Sequence, residues 1–142
     1  MHIELRFVRS GDEALFERIA PEVFDEPVDP ARLAAYLADP AHHMMIALQD
    51  GIVIGQCAAI IHRHPDKVDE LYVDEIGISP AHQRQGIARR MMEAMFDHAR
   101  KLGCREAWLG TEPDNIAARR LYETLDAGGE PAEVCVLYAY EL

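Results

Sequence analysis

The stretch Gln83-Arg84-Gln85-Gly86-Ile87-Ala88 follows an apolar, strand-like run and opens a long amphipathic helix. A helix start carries backbone N–H groups with no intrahelical partner, and the macrodipole adds partial positive charge there. Such ends bind anions. Gly86 removes the Cβ that would hold a phosphate away from the backbone, Ala88 keeps the next turn small, and Arg84, Arg89 and Arg90 add charge nearby. The local reading is a pyrophosphate cradle, although six residues with one glycine also describe an ordinary strand-to-helix turn.

Upstream of this turn, Leu71 to Ile78 reads as the strand that feeds it, and Ser79-Pro80 stops that strand. Met44 to Leu48 and Ile52 to Ile61 are apolar runs joined by Asp50-Gly51, a two-residue hairpin signal. The polar segment His62 to Asp69 reads as a loop. Nearer the start, His2 to Val8 predicts a strand, and Ser10-Gly-Asp-Glu13 predicts a capping box for a helix through about Ala20, ended by Pro21. Asp29-Pro30 supplies a cap and a first-turn proline for a short helix with Leu33, Tyr36 and Leu37 on one face. Downstream, Met91, Met95, Ala99 and Leu102 share a helix face, and Gly103 sits where a left-handed C-terminal residue belongs. Cys104 to Gly110 then predicts a strand, Asn115 to Leu125 a helix, and Ala132 to Glu141 a last strand after Gly128-Gly129.

A chain of 142 residues fits a single domain over 1–142 that buries about two-thirds of its unfolded surface. Its 49% apolar and 27% charged residues are those of a soluble globular protein. No run of eighteen apolar residues offers a membrane span, and the first residues lack the basic-then-apolar layout of a signal peptide, so no membrane partner and a cytoplasmic location are expected. Cys57, Cys104 and Cys135 are odd in number and widely spaced, which fits a reducing compartment. His42-His43 and His62-x-His64 have no cysteine or carboxylate at metal-ligand spacing, so no metal is expected. The net charge of −11 argues against nucleic acid and favours a cationic partner, although acidity also serves solubility alone.

Gln83-x-x-Gly86-x-Ala88 resembles the acetyl-CoA signature of the GNAT superfamily of N-acetyltransferases. Asn115-Ile-Ala-Ala-Arg-Arg-Leu-Tyr122, about thirty residues on, resembles that family's second signature, Asn-x-x-Ala-x-x-Leu-Tyr. The order of elements, β-α-α-β-β-β-α-β-α-β, extends the resemblance over almost the whole chain. It implies an α+β fold: a mixed, mostly antiparallel twisted sheet with helices on both faces. It also implies acetyl-CoA lying between two splayed strands, with Ile76 and Ile78 offering backbone groups, Gln83, Arg84, Gln85, Gly86, Ile87, Ala88 and Arg89 around the pyrophosphate, and Asn115 both capping its helix and bonding the cofactor.

An acceptor amine is mostly protonated at neutral pH and must lose a proton before it attacks a thioester. Asp74 and Glu75 are the candidate bases, and Glu75 is favoured because the related enzymes carry an acid at that distance before the glycine turn. Adjacent strand residues face opposite ways, so a β-bulge is expected at Glu75-Ile76-Gly77; alternatively both carboxylates face solvent or only attract the substrate. Tyr122 stands at the family's tyrosine position, where its hydroxyl would donate to the leaving thiolate. The chain departs from the family after Tyr122, continuing Glu-Thr-Leu-Asp-Ala-Gly-Gly in place of a Gly-Phe pair.

Tyr72-Val-Asp-Glu-Ile-Gly-Ile-Ser before the turn, His82-Gln-Arg-Gln-Gly-Ile-Ala within it, the compact length and the ending at Glu-Leu resemble the aminoglycoside 3-N-acetyltransferase branch. Asp25, Glu26, Asp29, Glu112 and Asp114, with Tyr138, are the residues expected around a polycationic acceptor. The alternatives are a polyamine, a protein or peptide amine, or a module that binds acyl-CoA without turnover. The family also implies a homodimer through terminal strands, which would place Val134 to Tyr140 at an interface.

Overall fold

The computed structural model describes residues 2–125 and 131–142, so the expected Gly128-Gly129 connection lies outside the described residues. Met1–Leu109 and Gly110–Leu142 form two compact units. The first holds a sheet of strands β1 (Glu4–Phe7), β2 (His42–Gln49), β3 (Ile52–His62), β4 (Glu70–Ile78) and β5 (Glu106–Trp108), together with helices α1 (Pro30–Ala38) and α2 (Ile87–Lys101). The strand order is β1-β2-β3-β4-β5; the first four pair antiparallel and β5 joins β4 in parallel. This is the expected α+β architecture with a mixed, mostly antiparallel sheet.

Local chemistry accounts for most of these boundaries. Asp50 and Gly51 both take left-handed backbone, with φ of 51° and 74°, which matches the twist of a tight hairpin between β2 and β3. Asp29 caps α1 by accepting the Arg32 N–H at 2.9 Å, with Pro30 in the first turn. Gly103, at φ 95°, follows the end of α2.

Period-two alternation in β2 separates two cores. Met44, Ile46 and Leu48 pack with Phe16, Val23, Val53 and Ala58 on one face, joined by Leu33 and Tyr36 of α1. Met45 and Cys57 face the other way, where Cys57 Sγ lies 4.0 Å from Met92 Sδ of α2. Helices therefore cover both faces. On α2 the buried residues are Ile87, Met91, Met92, Met95 and Ala99; Leu102, expected on that face, is half exposed beyond the last turn.

Several expectations are corrected. The helix expected from the Ser10 capping box is a 3-10 turn, Glu13–Glu17. Ser10 Oγ donates to Leu37 C=O at 3.2 Å, and Asp12 turns back to accept the Arg9 N–H at 3.0 Å and to pair with Arg6 at 3.1 Å, so neither caps the turn that follows. The chain after the turn then pairs with β3, as Ala20 N–H donates to Val53 C=O at 2.8 Å and Val53 N–H to Arg18 C=O at 2.9 Å. The strand expected over Cys104 to Gly110 shrinks to three residues, because its ladder with β4 covers only Glu70 to Tyr72.

The second unit contains α3 (Ile116–Glu123), started by Asn115. The strand expected from Ala132 to Glu141 is absent: residues 131–142 have no assigned strand, with Val134 87% and Leu137 88% exposed. Alternating apolar residues make a strand only against a hydrogen-bonding neighbour, and none is found for them among the described residues.

Candidate active site

Strand β4 is where the sheet splays. Its parallel ladder with β5 ends at Tyr72↔Trp108, whereas its antiparallel ladder with β3 continues to Gly55↔Ile78. From Val73 to Ile78 the strand is therefore bonded on one side only among the described residues, and the half-buried Ile76 and Ile78 sit on that free edge. An open sheet edge offers N–H and C=O groups to an extended ligand.

The bulge lies one residue earlier than expected. Ala58 pairs with Glu75 and Ala59 with Val73, which makes Asp74 the extra residue. Gly77 keeps regular register opposite Gln56, and its glycine serves a close approach instead: a Cβ there would collide with the Val23 carbonyl oxygen. Gln56, fully buried, donates to that same carbonyl at 3.3 Å. Together they pin the loop carrying Phe24, Asp25 and Glu26 against β4.

Register places Glu75 beside Ala58, on the face that α1 covers. Burial raises the Glu75 carboxyl above the ordinary range, and the charges of Asp25 and then Asp74 raise it further. Burial also raises Asp74, against the lowering influence of its backbone hydrogen bond and of His42. Next to these acids, Tyr36 of α1 has a buried hydroxyl with no hydrogen-bond partner among the described residues. Burial, then Asp74, Cys57 and Glu75, hold that hydroxyl protonated far above the usual phenol range. Burial and then Asp74 push the Cys57 thiol up to about 12, so it is no nucleophile. An open cavity of about 280 Å³ is lined by Ile19, Ala20, Phe24, Asp25, Glu26, Pro27 and Val28. Asp29, just beyond it, is occupied as the α1 cap.

The glycine turn has the geometry of an anion cradle. Gly86 is the N-cap of α2 at φ 77°, and a Cβ built on it would meet nothing within 4 Å among the described residues, so the space in front of it is open to them. The first helical bond runs from Arg90 N–H to Gly86 C=O at 3.1 Å, which leaves the amides of Ile87 and Ala88 without intrahelical acceptors. Arg84 is held in left-handed backbone at φ 62°, and Arg89 reaches Glu93 at 3.5 Å. The glutamine side chains brace the turn, Gln83 donating to Ile78 C=O at 3.1 Å and Gln85 to Ala81 C=O at 3.4 Å.

Two supports of this site escape a reading of the sequence. His82 Nε2 lies 2.8 Å from Gln49 Oε1 and its Nδ1 lies 2.6 Å from Ser79 Oγ. The amide oxygen only accepts, so Nε2 donates to it, and the other ring nitrogen is bonded to the Ser79 hydroxyl. This relay fastens the turn to the end of β2. Tyr36 is the other, because its helix spacing announces only a core residue. Both become visible when strands distant in sequence are brought side by side.

In the second unit, Asn115 Oδ1 accepts the Ala118 N–H at 3.1 Å, as expected of a cap. Glu112 and Asp114 are exposed ahead of α3, Tyr122 is half-buried on it, and Tyr138 is exposed.

A profile of the acetyltransferase (GNAT) family matches residues 13–126. The N-alpha-acetyltransferase RimI of Mycobacterium tuberculosis is 34% identical over 103 residues, 72% of this chain and 63% of that protein. The mycothiol acetyltransferase of Saccharopolyspora erythraea is 38% identical over 63 residues, 44% of this chain and 20% of its own length. The matched part of the chain thus spans less than two-thirds of these relatives. Among solved structures, aminoglycoside acetyltransferase AAC(6')-Iy with a bisubstrate analogue superposes with a TM-score of 0.79 at 23% identity, covering 100% of both chains. An aminoglycoside acetyltransferase from an uncultured soil sample, in complex with sisomicin, gives 0.79 at 17% identity over 98% of this chain and 97% of its own. The GNAT profile covers most of the chain and the sheet splays beside a glycine-led helix start, so this chain belongs to the GNAT family of acetyltransferases.

Proposed function

We propose that the chain is an acetyl-CoA-dependent N-acetyltransferase acting on a primary amine of a cationic small molecule. The observation that carries this reading is Glu75: a carboxyl raised by burial, facing Asp25, on the strand whose free edge leads to the Gly86 cradle. Acetyl-CoA fits that arrangement, with pyrophosphate on the amides of Ile87 and Ala88 and the extended pantetheine along Val73 to Ile78. It supplies an acetyl group activated as a thioester.

Glu75 takes the proton of the acceptor ammonium, and its raised affinity for protons makes it the stronger base once ionised. The free amine forms a C–N bond at the carbonyl carbon, the C–S bond breaks, the sulfur leaves as thiolate, and the extra proton on the new amide nitrogen passes through solvent, balancing the one that Tyr122 gives to the thiolate. Backbone N–H groups near Ile76 to Ile78 stabilise the oxyanion, and the Tyr122 hydroxyl protonates the thiolate. Asp74 adds negative potential beside Glu75, while Asp25, Glu26, Asp29, Glu112, Asp114 and Tyr138 are assigned to acceptor binding. The two units work as one functional domain, in the cytoplasm, where Cys57, Cys104 and Cys135 stay reduced. The exposed segment from Val134 to Tyr140 supports a homodimer, since apolar runs this exposed mark association surfaces; its mass by light scattering would be twice 16.0 kDa.

The acceptor in this reading is an aminoglycoside, acetylated at the 3-amino group that the sequence resemblance implies. A second reading, an α-amino group of a protein, is favoured by the 34% identity to RimI. The deciding experiment follows acetyl-CoA-dependent CoA release with gentamicin-type aminoglycosides, polyamines and N-terminal peptides, with NMR location of the acetyl group. Acetylation at the 3-amino group is the expected result. Acetylation at the 6′-amino group would move the regiochemistry, turnover on peptides alone would establish the second reading, and acetyl-CoA binding without turnover on any amine would overturn catalysis.

A further inference from the structure

The far end of the β3–β4 hairpin gathers residues that the acyl-transfer site does not use. His62, the last residue of β3, pairs directly with Glu70, the first of β4. His64, two residues on, folds back over them. Its ring centroid lies 4.2 Å from that of His62, and its Nε2 lies 3.6 Å from Glu70 Oε2. One ligand atom from each of the three residues falls within 4.8 Å of the others. His62-x-His64 has no carboxylate at metal-ligand spacing in the sequence, so the expectation that no metal ligand set forms there is revised here: the hairpin pairing brings Glu70 to the two histidines.

We propose that His62, His64 and Glu70 form a binding site for a single divalent transition-metal ion of the zinc type. The donor set argues for that class: two imidazole nitrogens and one carboxylate suit zinc, copper or nickel, whereas magnesium and calcium require oxygen ligands. The His64 Nε2 atom is buried and has no hydrogen-bond partner among the described residues, a position that is costly for a polar nitrogen and is relieved by a metal–nitrogen bond. Glu70 is paired with no lysine or arginine among the described residues, so its charge remains for a cation. The Trp108 indole N–H donates to Glu70 Oε2 at 3.2 Å, fixing the carboxylate as outer-shell partners of metal ligands do. Arg63 is turned to Asp69 at 3.6 Å and so lies outside the ligand set. Closing atoms now spread within 4.8 Å around one ion needs only side-chain torsions at a hairpin end, and a water completes a tetrahedral shell. Glu75 lies five positions along β4 from Glu70, about 16 Å at the strand rise, so the metal takes no part in acetyl transfer.

Trp108 is the single tryptophan of the chain, which makes the site self-reporting. Untagged protein is titrated with Ni²⁺ while tryptophan emission is followed, and Zn²⁺ is titrated in competition with a chromophoric chelator. The expected result is one ion per chain, with quenching by Ni²⁺ that Zn²⁺ reverses. His62→Ala with His64→Ala should abolish both signals, and Trp108→Phe should weaken Zn²⁺ binding about tenfold in the chelator assay. His98→Leu, which breaks the other close histidine pair, should leave binding unchanged. Equal quenching in the double-histidine variant, binding that follows His98, or no binding by the wild-type chain would overturn the assignment.

Discussion

In the proposed reaction Glu75 would carry two opposed roles that one substitution separates. Its carboxyl binds a proton more tightly in the folded chain than in the unfolded one, because burial, Asp25 and Asp74 all disfavour the charge. A group raised in this way contributes stability below its ordinary value of 4.5, and that contribution is lost as pH rises through the folded value. At neutral pH the ionised carboxylate is therefore a cost to the fold. Glu75→Gln should raise the melting temperature at pH 7.5 by about 1–3 °C, since solvent screening keeps the gain under about 1 kcal/mol, and the difference should vanish near pH 4. The same variant should lose about 10²–10⁴ of kcat/KM, and the rising limb of the wild-type pH profile should lie above the ordinary carboxylate range. A variant that is neither more stable nor slower would remove Glu75 from the site. Asp74→Asn, at the bulge, should share the stability gain and lose less activity.

At the scale of elements, the parts legible from sequence are those written by one or two neighbouring residues. Asp50-Gly51 closes its hairpin, Asp29-Pro30 starts α1, and Gly86 and Gly103 bracket α2, each through backbone or capping chemistry complete within the segment. What was illegible depends on a distant partner. Ser10 reads as a forward cap until the Leu37 carbonyl takes its hydroxyl, the bulge is decided by where Ala58 and Ala59 sit on β3, and Tyr36 reads as core until Asp74 and Glu75 arrive beside it. Gly86 tests the legible kind. Gly86→Ala forces an alanine into φ 77°, so stability should fall by about 1–2 kcal/mol, and the new methyl should raise the KM for acetyl-CoA well beyond that for the acceptor. An unchanged KM would refute the cradle. His43 and His98 test the distant kind. They meet at 3.0 Å between β2 and α2, and His98 stacks on Phe7. Burial lowers both imidazoles, helped at His43 by His98 and at His98 by Lys101. Depressed groups contribute stability above their ordinary value of 6.5 and lose it as pH falls through the folded value. Thermal stability should drop between pH 7 and pH 5, and His98→Leu should flatten that drop, as calorimetry across the range would record.

The whole molecule sets a problem of charge: with 25 acidic and 14 basic residues, a net −11, the proposed reaction would bring it an anionic donor and a cationic acceptor at once. Segregation answers it. Arg84, Arg89 and Arg90 cluster at the Gly86 turn, while Asp25, Glu26, Asp74 and Glu75 gather where the loop crosses β4. The two ligands then experience different fields. A polycationic acceptor is drawn by the net charge from a distance and by the acidic face at contact, so both contributions weaken together when salt is added. Acetyl-CoA is attracted only at the turn and repelled by the rest, so screening removes opposing effects. Between about 0.01 and 0.15 M ionic strength the Debye length falls from about 30 to 8 Å. Over that range the KM for a tetra-ammonium acceptor should rise severalfold, that for a mono-ammonium analogue much less, and that for acetyl-CoA least. Charge reversal of the loop by Asp25→Lys with Glu26→Lys should flatten the acceptor's salt dependence without moving the KM for acetyl-CoA. A steep dependence retained in that variant would place the acceptor away from the loop, and a flat dependence in the wild-type chain would mean that the acceptor is recognised by shape and hydrogen bonds instead of charge.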